Sequence, residues 1–315
     1  MAFYLVTGGG GFIGSNLCHA LAARGDTVRV IDNFSTGRRQ NLADLIAAKK
    51  VDLVEADITD RAAVERAMAG IDFVFHEAAI PSVPRSVEDP IGSDLANVHG
   101  VVCVLDAARR AKVKRVVYAA SSSAYGERTP GEAKVETMTP DPLSPYAAAK
   151  LAGEHYLRAF YQSYGLETVA LRYFNVFGPR QDPKSQYAAA IPNFVSAALA
   201  KKPATIYGDG LQSRDFCFIE NVVEANLLAC TAKEAAGEVV NIACGEAVTL
   251  LQVIETIAAV TRSSVPPKHD PPRIGDIRHS LADISKAKRV LGYTGRVKFE
   301  EGLTRTVAWY RQSAQ

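Results

Sequence analysis

The 315 residues are 48% hydrophobic and 22% charged, enough apolar chain to build one large α/β unit or two packed domains. The net charge is +2 with no basic block, which argues against nucleic acid as a partner, and no apolar run is long enough to span a bilayer, so no membrane partner is expected. Five scattered cysteines (Cys18, Cys103, Cys217, Cys230 and Cys244) form no Cys-x-x-Cys or Cys/His cluster, so no metal site is expected; buried thiols in a cytosolic protein fit better, and a chain that opens directly on an apolar run does not fit a signal peptide.

Residues 3–6 are an apolar run of the kind that makes a buried strand. It enters Thr7-Gly-Gly-Gly-Gly-Phe12-Ile13-Gly14, after which Leu17, Ala20, Leu21 and Ala22 recur at helical spacing. Gly8, Gly11 and Gly14 are spaced G-x-x-G-x-x-G between strand and helix, where glycine allows a tight turn and close approach of backbone to a pyrophosphate. The helix start adds free N–H groups and a positive dipole end. The next strand, 28–31, ends at Asp32, eighteen residues after Gly14, where a carboxylate would hold ribose hydroxyls and repel a 2′-phosphate; NAD is therefore expected over NADP, although Arg38 and Arg39 keep some NADP use open. Asn33, Phe34, Ser35 and Gly37 form a polar loop suited to closing over adenosine.

Strand-like and helix-like segments then alternate, which predicts an α/β protein with a parallel, doubly wound sheet. A strand over 51–55 leads to Asp57 and Ile58, placed to face the adenine. A helix over 60–69 starts on an Asp60 cap and stops at Gly70. The strand 72–76 ends at His76, read as a hydrogen-bonded structural histidine, and the small Ala78 and Ala79 would let the cofactor pass close by. Residues 82–86, Ser-Val-Pro-Arg-Ser, read as a proline-punctuated loop at the mouth of the site. A long helix is expected over 97–111, a strand over 115–120 running into Ser121-Ser122-Ser123, and a Pro/Thr-rich surface loop over 127–145. Tyr146 and Lys150 follow at i and i+4 on a helix through 164, so they share a face. An ammonium beside a phenol lowers its pKa, and a phenol so tuned can exchange a proton with a substrate hydroxyl near neutral pH.

Past a strand over 167–172 the alternation weakens and loops dominate. Residues 208–210 and 214–216 read as turns, 219–230 as a helix, 239–242 as a strand able to rejoin the sheet, and the two Pro-Pro pairs at 266–267 and 271–272 as the ends of a stiff linker. The final helix, 299–312, is expected on the outside.

Taken in order, the motifs at 7–14, Asp32, 121–123, Tyr146-x-x-x-Lys150, Arg172-Tyr-Phe-Asn175 and 273–280 resemble the extended short-chain dehydrogenase/reductase family, and within it the nucleotide-sugar 4-epimerases. Ser82-Val-Pro-Arg-Ser86, Arg180-Gln-Asp-Pro183, Ser213-Arg-Asp-Phe216 and Asp276-Ile-Arg-His-Ser280 resemble the UDP-N-acetylglucosamine 4-epimerase branch most closely. The resemblance implies a Rossmann domain (1–174 with about 211–244) binding NAD, and a smaller discontinuous α/β domain (175–210 and 245–315) over a UDP-sugar. It implies Tyr146 as base with Lys150 as partner, Ser121 as the residue bonding the sugar 4-hydroxyl, with Ser122 or Ser123 as alternatives, and Asn97 and Tyr173 as cofactor contacts. Asn175, Arg214 and Arg273 would meet the pyrophosphate, Asp276 the nucleoside ribose, Tyr207 the uracil, and Val83 the substrate. The implied reaction takes the 4-hydroxyl proton onto Tyr146 as C4 gives hydride to NAD, turns the 4-keto sugar over and returns hydride to its other face. A homodimer built on helices such as 97–111 and 146–164 is also implied.

Three rivals remain. A dehydratase of this type needs an Asp-Glu pair after the serine, where this chain has Ser122 and Ser123; a 4-reductase would prefer NADPH, which Asp32 disfavours; a non-catalytic NAD-sensing module has no use for Tyr146, Lys150 and a serine together. Ser280 occupies the position that, in the family, gates room around C2, and its small side chain implies that an N-acetyl group can turn there, so UDP-GlcNAc/UDP-GalNAc is expected, alongside or in place of UDP-Glc/UDP-Gal.

Overall fold

The computed structural model describes residues 2–129, 131–183, 190–263, 265–271 and 278–313. Six strands, β1 (Phe3–Thr7), β2 (Thr27–Asp32), β3 (Val51–Glu55), β4 (Phe73–His76), β5 (Arg115–Ser121) and β6 (Glu167–Tyr173), build the sheet with a seventh, Val239–Ile242. Their order is Val239–Ile242, β6, β5, β4, β1, β2, β3, and every pairing is parallel. Parallel strands are linked by crossovers that cover both faces, so their apolar residues alternate between two cores. Tyr4 and Val6 pack with Val30, Phe75 and Val117 on one side; Leu5 packs with Ile31, Val74, Val116 and Tyr118 on the other. The chain reverses direction of travel between β1 and β4, which opens a crevice at their carboxyl ends.

The helices that matter for the site are capped locally. Phe12–Ala23 starts at the glycine turn, and Asp60 caps Arg61–Ala67 by accepting from Ala63 N at 3.1 Å. Ser144 accepts from Ala147 N at 3.2 Å and Pro145 takes the first position of Pro145–Tyr164, a start that suits proline because the first N–H of a helix has no partner.

Several expected loops are ordered elements instead. Residues 83–86 belong to the helix Val83–Glu88: Ser82 caps it and Pro84 stands in its first turn, where proline favours a helix rather than breaking one. The helix expected from Asn97 begins with a wide π turn, Leu95–His99, before Gly100–Arg110. The short strands Ser213–Asp215 and Lys268–Asp270 overlap the stretches read as a turn at 214–216 and as a stiff linker; the first lies between Ala247–Thr249 and His279–Ser280, the second pairs with Thr205–Tyr207. Helices Ala190–Leu199, Leu250–Thr261 and Ser285–Leu291 also occupy the region read as loop-rich. Strands of two or three residues are too short to carry an alternation, so their pairing comes from tertiary contact. The Pro/Thr-rich stretch after β5 is not all surface: Lys134 is buried and bridges to Ala282. The last helix, Phe299–Ser313, sends Phe299, Leu303, Val307 and Tyr310 into the same core as the sheet.

Candidate active site

A cleft of about 980 Å³ runs along the carboxyl ends of β1, β2, β4, β5 and β6. At its floor the glycine turn has no room for side chains. A Cβ on Gly14 would sit 2.3 Å from the Gly8 carbonyl oxygen, and Gly8 itself has φ +69° with Ala78 backbone 2.7 Å from the place of a Cβ. Gly11 N bonds Gly8 O at 3.0 Å, closing the turn. Asp32 ties it to the next loop: its carboxylate accepts from Gly10 N at 2.8 Å and Phe34 N at 2.7 Å. Burial raises the Asp32 pKa, and those two amides oppose the rise. Asp57 holds Asn33 Nδ2 at 2.6 Å and Thr59 N at 2.8 Å; burial alone would raise it, but these hydrogen bonds prevail and its pKa falls. Bare backbone against a tight turn, a carboxylate at the end of β2 and a helix start facing the gap fit a dinucleotide without a 2′-phosphate.

Gly8, Gly11, Phe12, Ile13, Gly14, Asp32, Asn33, Ser35, Gly37, Asp57, Ile58, Ala78, Ala79 and Tyr173 line this cleft, as do Val83, Ser121, Ser122, Ser123, Tyr146, Lys150, Asn175, Arg214 and Ser280. Three residues expected at the site do not. Phe34 covers Gly10 and stacks under Arg39, whose guanidinium is 4.7 Å from the ring centre. Asn97 spends its amide on Ile80, accepting from Ile80 N at 2.9 Å and donating to Ile80 O at 3.2 Å, so it shapes the cleft wall from behind. Tyr207 ends a strand paired with Lys268–Asp270 and is not among the described residues that line the cleft. Arg273 and Asp276 lie outside the described residues.

At the end of β5 the serine run resolves into unequal parts. Ser121 Oγ accepts from Ser123 N at 3.2 Å and from Ser123 Oγ at 2.8 Å, and it hydrogen-bonds the Tyr146 phenol, so its own proton is left for the phenol oxygen. Tyr146 N in turn bonds Ser86 Oγ at 3.0 Å, which locks the helix Val83–Glu88 against the helix that carries the phenol. Burial raises the Tyr146 pKa and the Ser121 bond lowers it, with a net rise. Lys150 lies in the same wall: its ammonium donates to Ala119 O at 2.8 Å and sits 4.8 Å over the Tyr118 ring, while burial brings its own pKa down to about 8. His76 is structural, its Nδ1 held 2.7 Å from Thr7 Oγ1; Thr7 Oγ1 accepts from Ala78 N at 3.1 Å, so its proton goes to His76. Burial pushes the His76 pKa down to about 3, leaving a neutral ring.

Glu77 and Lys134 also line the cleft and had no spacing signal in the sequence. Glu77 Oε1 accepts from Tyr173 OH at 2.9 Å, Tyr173 OH accepts from Asn226 Nδ2 at 2.8 Å, and Glu77 Oε2 is buried without a hydrogen bond. Burial lifts the Glu77 pKa to about 7 against the pull of Tyr173 and Lys150. Behind the wall, Arg172 and Glu154 form a buried two-pronged pair at 2.8 and 2.7 Å. Among the described residues no group of three His, Cys, Asp or Glu could hold a metal, no helix is long and apolar enough to cross a membrane, and all five cysteines are free.

Residues 4–243 match the model of the NAD dependent epimerase/dehydratase family. The chain is 37% identical over 316 residues to a UDP-glucose 4-epimerase of Mycolicibacterium smegmatis, covering 99% of each. Among solved structures it resembles a UDP-N-acetylglucosamine 4-epimerase from Methanobrevibacter ruminantium M1 in complex with UDP-N-acetylmuramic acid (40% identity, TM-score 0.92, 99% of each chain). It also resembles a UDP-glucose 4-epimerase with UDP-glucose from Thermotoga maritima (37% identity, TM-score 0.94, 99% of this chain and 100% of that one).

Proposed function

From the premise that this chain belongs to the NAD-dependent epimerase/dehydratase family, we propose that it interconverts the C4 epimers of a UDP-hexose, UDP-GlcNAc/UDP-GalNAc or UDP-Glc/UDP-Gal, through a 4-keto sugar. The observation that carries the reading is the Tyr146 phenol, hydrogen-bonded to Ser121 and walled in with Lys150 at the end of the cleft that begins in the Gly8–Gly14 turn. Bound NAD supplies a hydride acceptor and donor that is restored in each cycle.

Tyr146 takes the proton of the 4-hydroxyl and later gives one back. Ser121 holds the 4-hydroxyl in line beside Tyr146, and Ser123 keeps Ser121 oriented. Lys150, held by Ala119 O in the same wall, supplies a positive charge that favours the phenolate. Asn175 and Arg214 face the diphosphate; Arg214 is anchored for this by donating to Ser213 O at 2.9 Å and Arg278 O at 3.0 Å. Arg273 and Asp276 share the nucleotide end on the strength of the resemblance alone. Ser280 leaves room at C2 for an N-acetyl group. The cofactor is carried by 1–174 with about 211–244, and the sugar nucleotide is covered by 175–210 and 245–315. The protein works as a homodimer, and its free cysteines suit a cytosolic compartment.

A dehydratase of this type carries a carboxylic acid and a base at the two positions after the serine; here those positions are Ser122 and Ser123, both in the cleft wall, which supports epimerisation over elimination. The test is to incubate purified protein with UDP-glucose and UDP-GlcNAc without added NAD and to follow C4 epimers by chromatography, with the bound dinucleotide released and identified in parallel. Epimers and NAD are expected. A 4-keto-6-deoxy product, or no conversion of either sugar, would overturn the reading.

A further inference from the structure

One cation in the cleft wall has no part in the chemistry above. Lys134 is only 1% exposed, yet it lines the cleft. Its backbone is stitched to the strand end that follows Ser280: Lys134 N donates to Leu281 O at 2.8 Å and Lys134 O accepts from Asp283 N at 3.0 Å. Ser280 itself stands in register opposite Arg214. On its other side, Lys134 Nζ donates to Gly126 O at 3.1 Å, and Gly126 N reaches Ser123 O at 3.3 Å. The ammonium therefore lies between the serine turn and the Ser280 strand, at the end of the cleft assigned to the hexose.

An ammonium has three donors, and the Gly126 carbonyl takes one. Among the described residues no carboxylate forms an ion pair with it; burial is the main influence that brings its pKa down to about 8, with Arg214 and Arg128 adding to the fall and Glu127 opposing it, so it is still charged at neutral pH. A buried cation without a counter-charge is unfavourable until an anion arrives. The anionic oxygens a UDP-sugar can bring belong to its diphosphate or to a carboxylate on the hexose, and the position beside Ser123 and Ser280 favours the second.

We propose that Lys134, held between Gly126 and the Ser280 strand, is a specificity-determining residue that receives a carboxylate carried by the hexose, so that acidic UDP-hexoses such as UDP-hexuronates are substrates of this site. The proposal rests on the epimerase reading, and it is tested so that the two fail separately. The enzyme, with the NAD it carries, is assayed on UDP-glucuronate and UDP-glucose, and binding of both and of UDP alone is measured by calorimetry, for the unmodified protein, Lys134→Met and Lys134→Arg. The ratio of kcat/KM for UDP-glucuronate over UDP-glucose is expected to fall at least about tenfold in Lys134→Met, the scale of one charged hydrogen bond, and to be largely kept in Lys134→Arg.

Equal weakening of both sugars and of UDP would assign the charge to the diphosphate and overturn the proposal. An unchanged ratio with a lowered melting temperature would reduce Lys134 to a pin on the Gly126 turn, again overturning it. So would UDP-glucuronate that neither binds nor turns over where UDP-glucose does both. If neither sugar is epimerised, that failure belongs to the epimerase reading, and the ratio of binding constants still decides the role of Lys134.

Discussion

Tyr146 is held between burial, which keeps its proton on, and a Ser121 hydrogen bond that helps it leave. Replacing it with phenylalanine is expected to lower kcat by about 10²–10⁴-fold, the usual worth of a positioned acid–base group, while the dinucleotide stays bound; normal turnover in the epimerisation assay would remove Tyr146 from the mechanism. At Ser280, 5% exposed in the cleft wall, a tyrosine would fill the room proposed for the N-acetyl group. Ser280→Tyr should lower kcat/KM for UDP-GlcNAc at least about tenfold more than for UDP-glucose, and equal effects on both would sink the gate. Glu77 makes a prediction about stability. Its folded value of about 7 stands above the ordinary 4.5, so its protonated form stabilises the fold fully below pH 4.5, and that contribution, up to roughly 3 kcal/mol, is lost as pH climbs through 7. Glu77→Gln keeps an oxygen for Tyr173 OH and has no proton to lose. Urea unfolding at pH 5 and pH 8 should show the unmodified protein losing stability relative to the variant over that interval; parallel behaviour of the two would contradict the assignment.

Among the elements, the glycine turn tolerates little. A Cβ on Gly14 meets the carbonyl oxygen of Gly8 at 2.3 Å, a backbone atom that cannot swing aside, and the contact lies where the helix Phe12–Ala23 meets β1. Gly14→Ala is expected to weaken NAD retention by at least about tenfold and to lower the melting temperature together with it, because overpacking at this point moves the helix start off the floor of the cleft. Full NAD occupancy in the purified variant would contradict this. The helix Val83–Glu88 acts differently: Ser82 caps it, and Ser86 passes its position on to Tyr146 N at 3.0 Å. The mouth of the cleft and the reacting phenol are thereby one connected unit.

Across the whole molecule, the sheet order puts the crevice between β1 and β4, and the core continues from the sheet through Phe216 to Phe299 and Leu303. One stretch of surface stays apolar. Val87, Ile91 and Leu95 are exposed next to the helix Pro145–Tyr164, which itself exposes Tyr156 and Tyr164. The proposed homodimer would cover this patch, since apolar area of this kind gains from leaving water. Light scattering should find a dimer for the unmodified protein and a monomer for Ile91→Asp combined with Tyr156→Asp; a monomer before substitution would refute the assembly, and an unaltered dimer after it would refute this face.

The amino-acid sequence alone determined what depends on short-range spacing. Gly8, Gly11 and Gly14 reveal a strand–turn–helix because only glycine fits where backbone meets backbone, and Asp32 marks the end of β2 that faces the same gap. Tyr146 and Lys150 share a helix face by periodicity, and the alternating strands announced a parallel sheet. Tertiary structure alone decided matters between residues distant in the chain. It set Ser121 against the phenol of a helix that begins beyond residue 144. It turned Asn97 toward Ile80, paired strands too short to show a period, and buried Lys134 beside Ser280, 146 positions further on. A local pattern records the steric and periodic demands of one segment; the charge and burial of Glu77 or Lys134 are set by neighbours that only folding brings near.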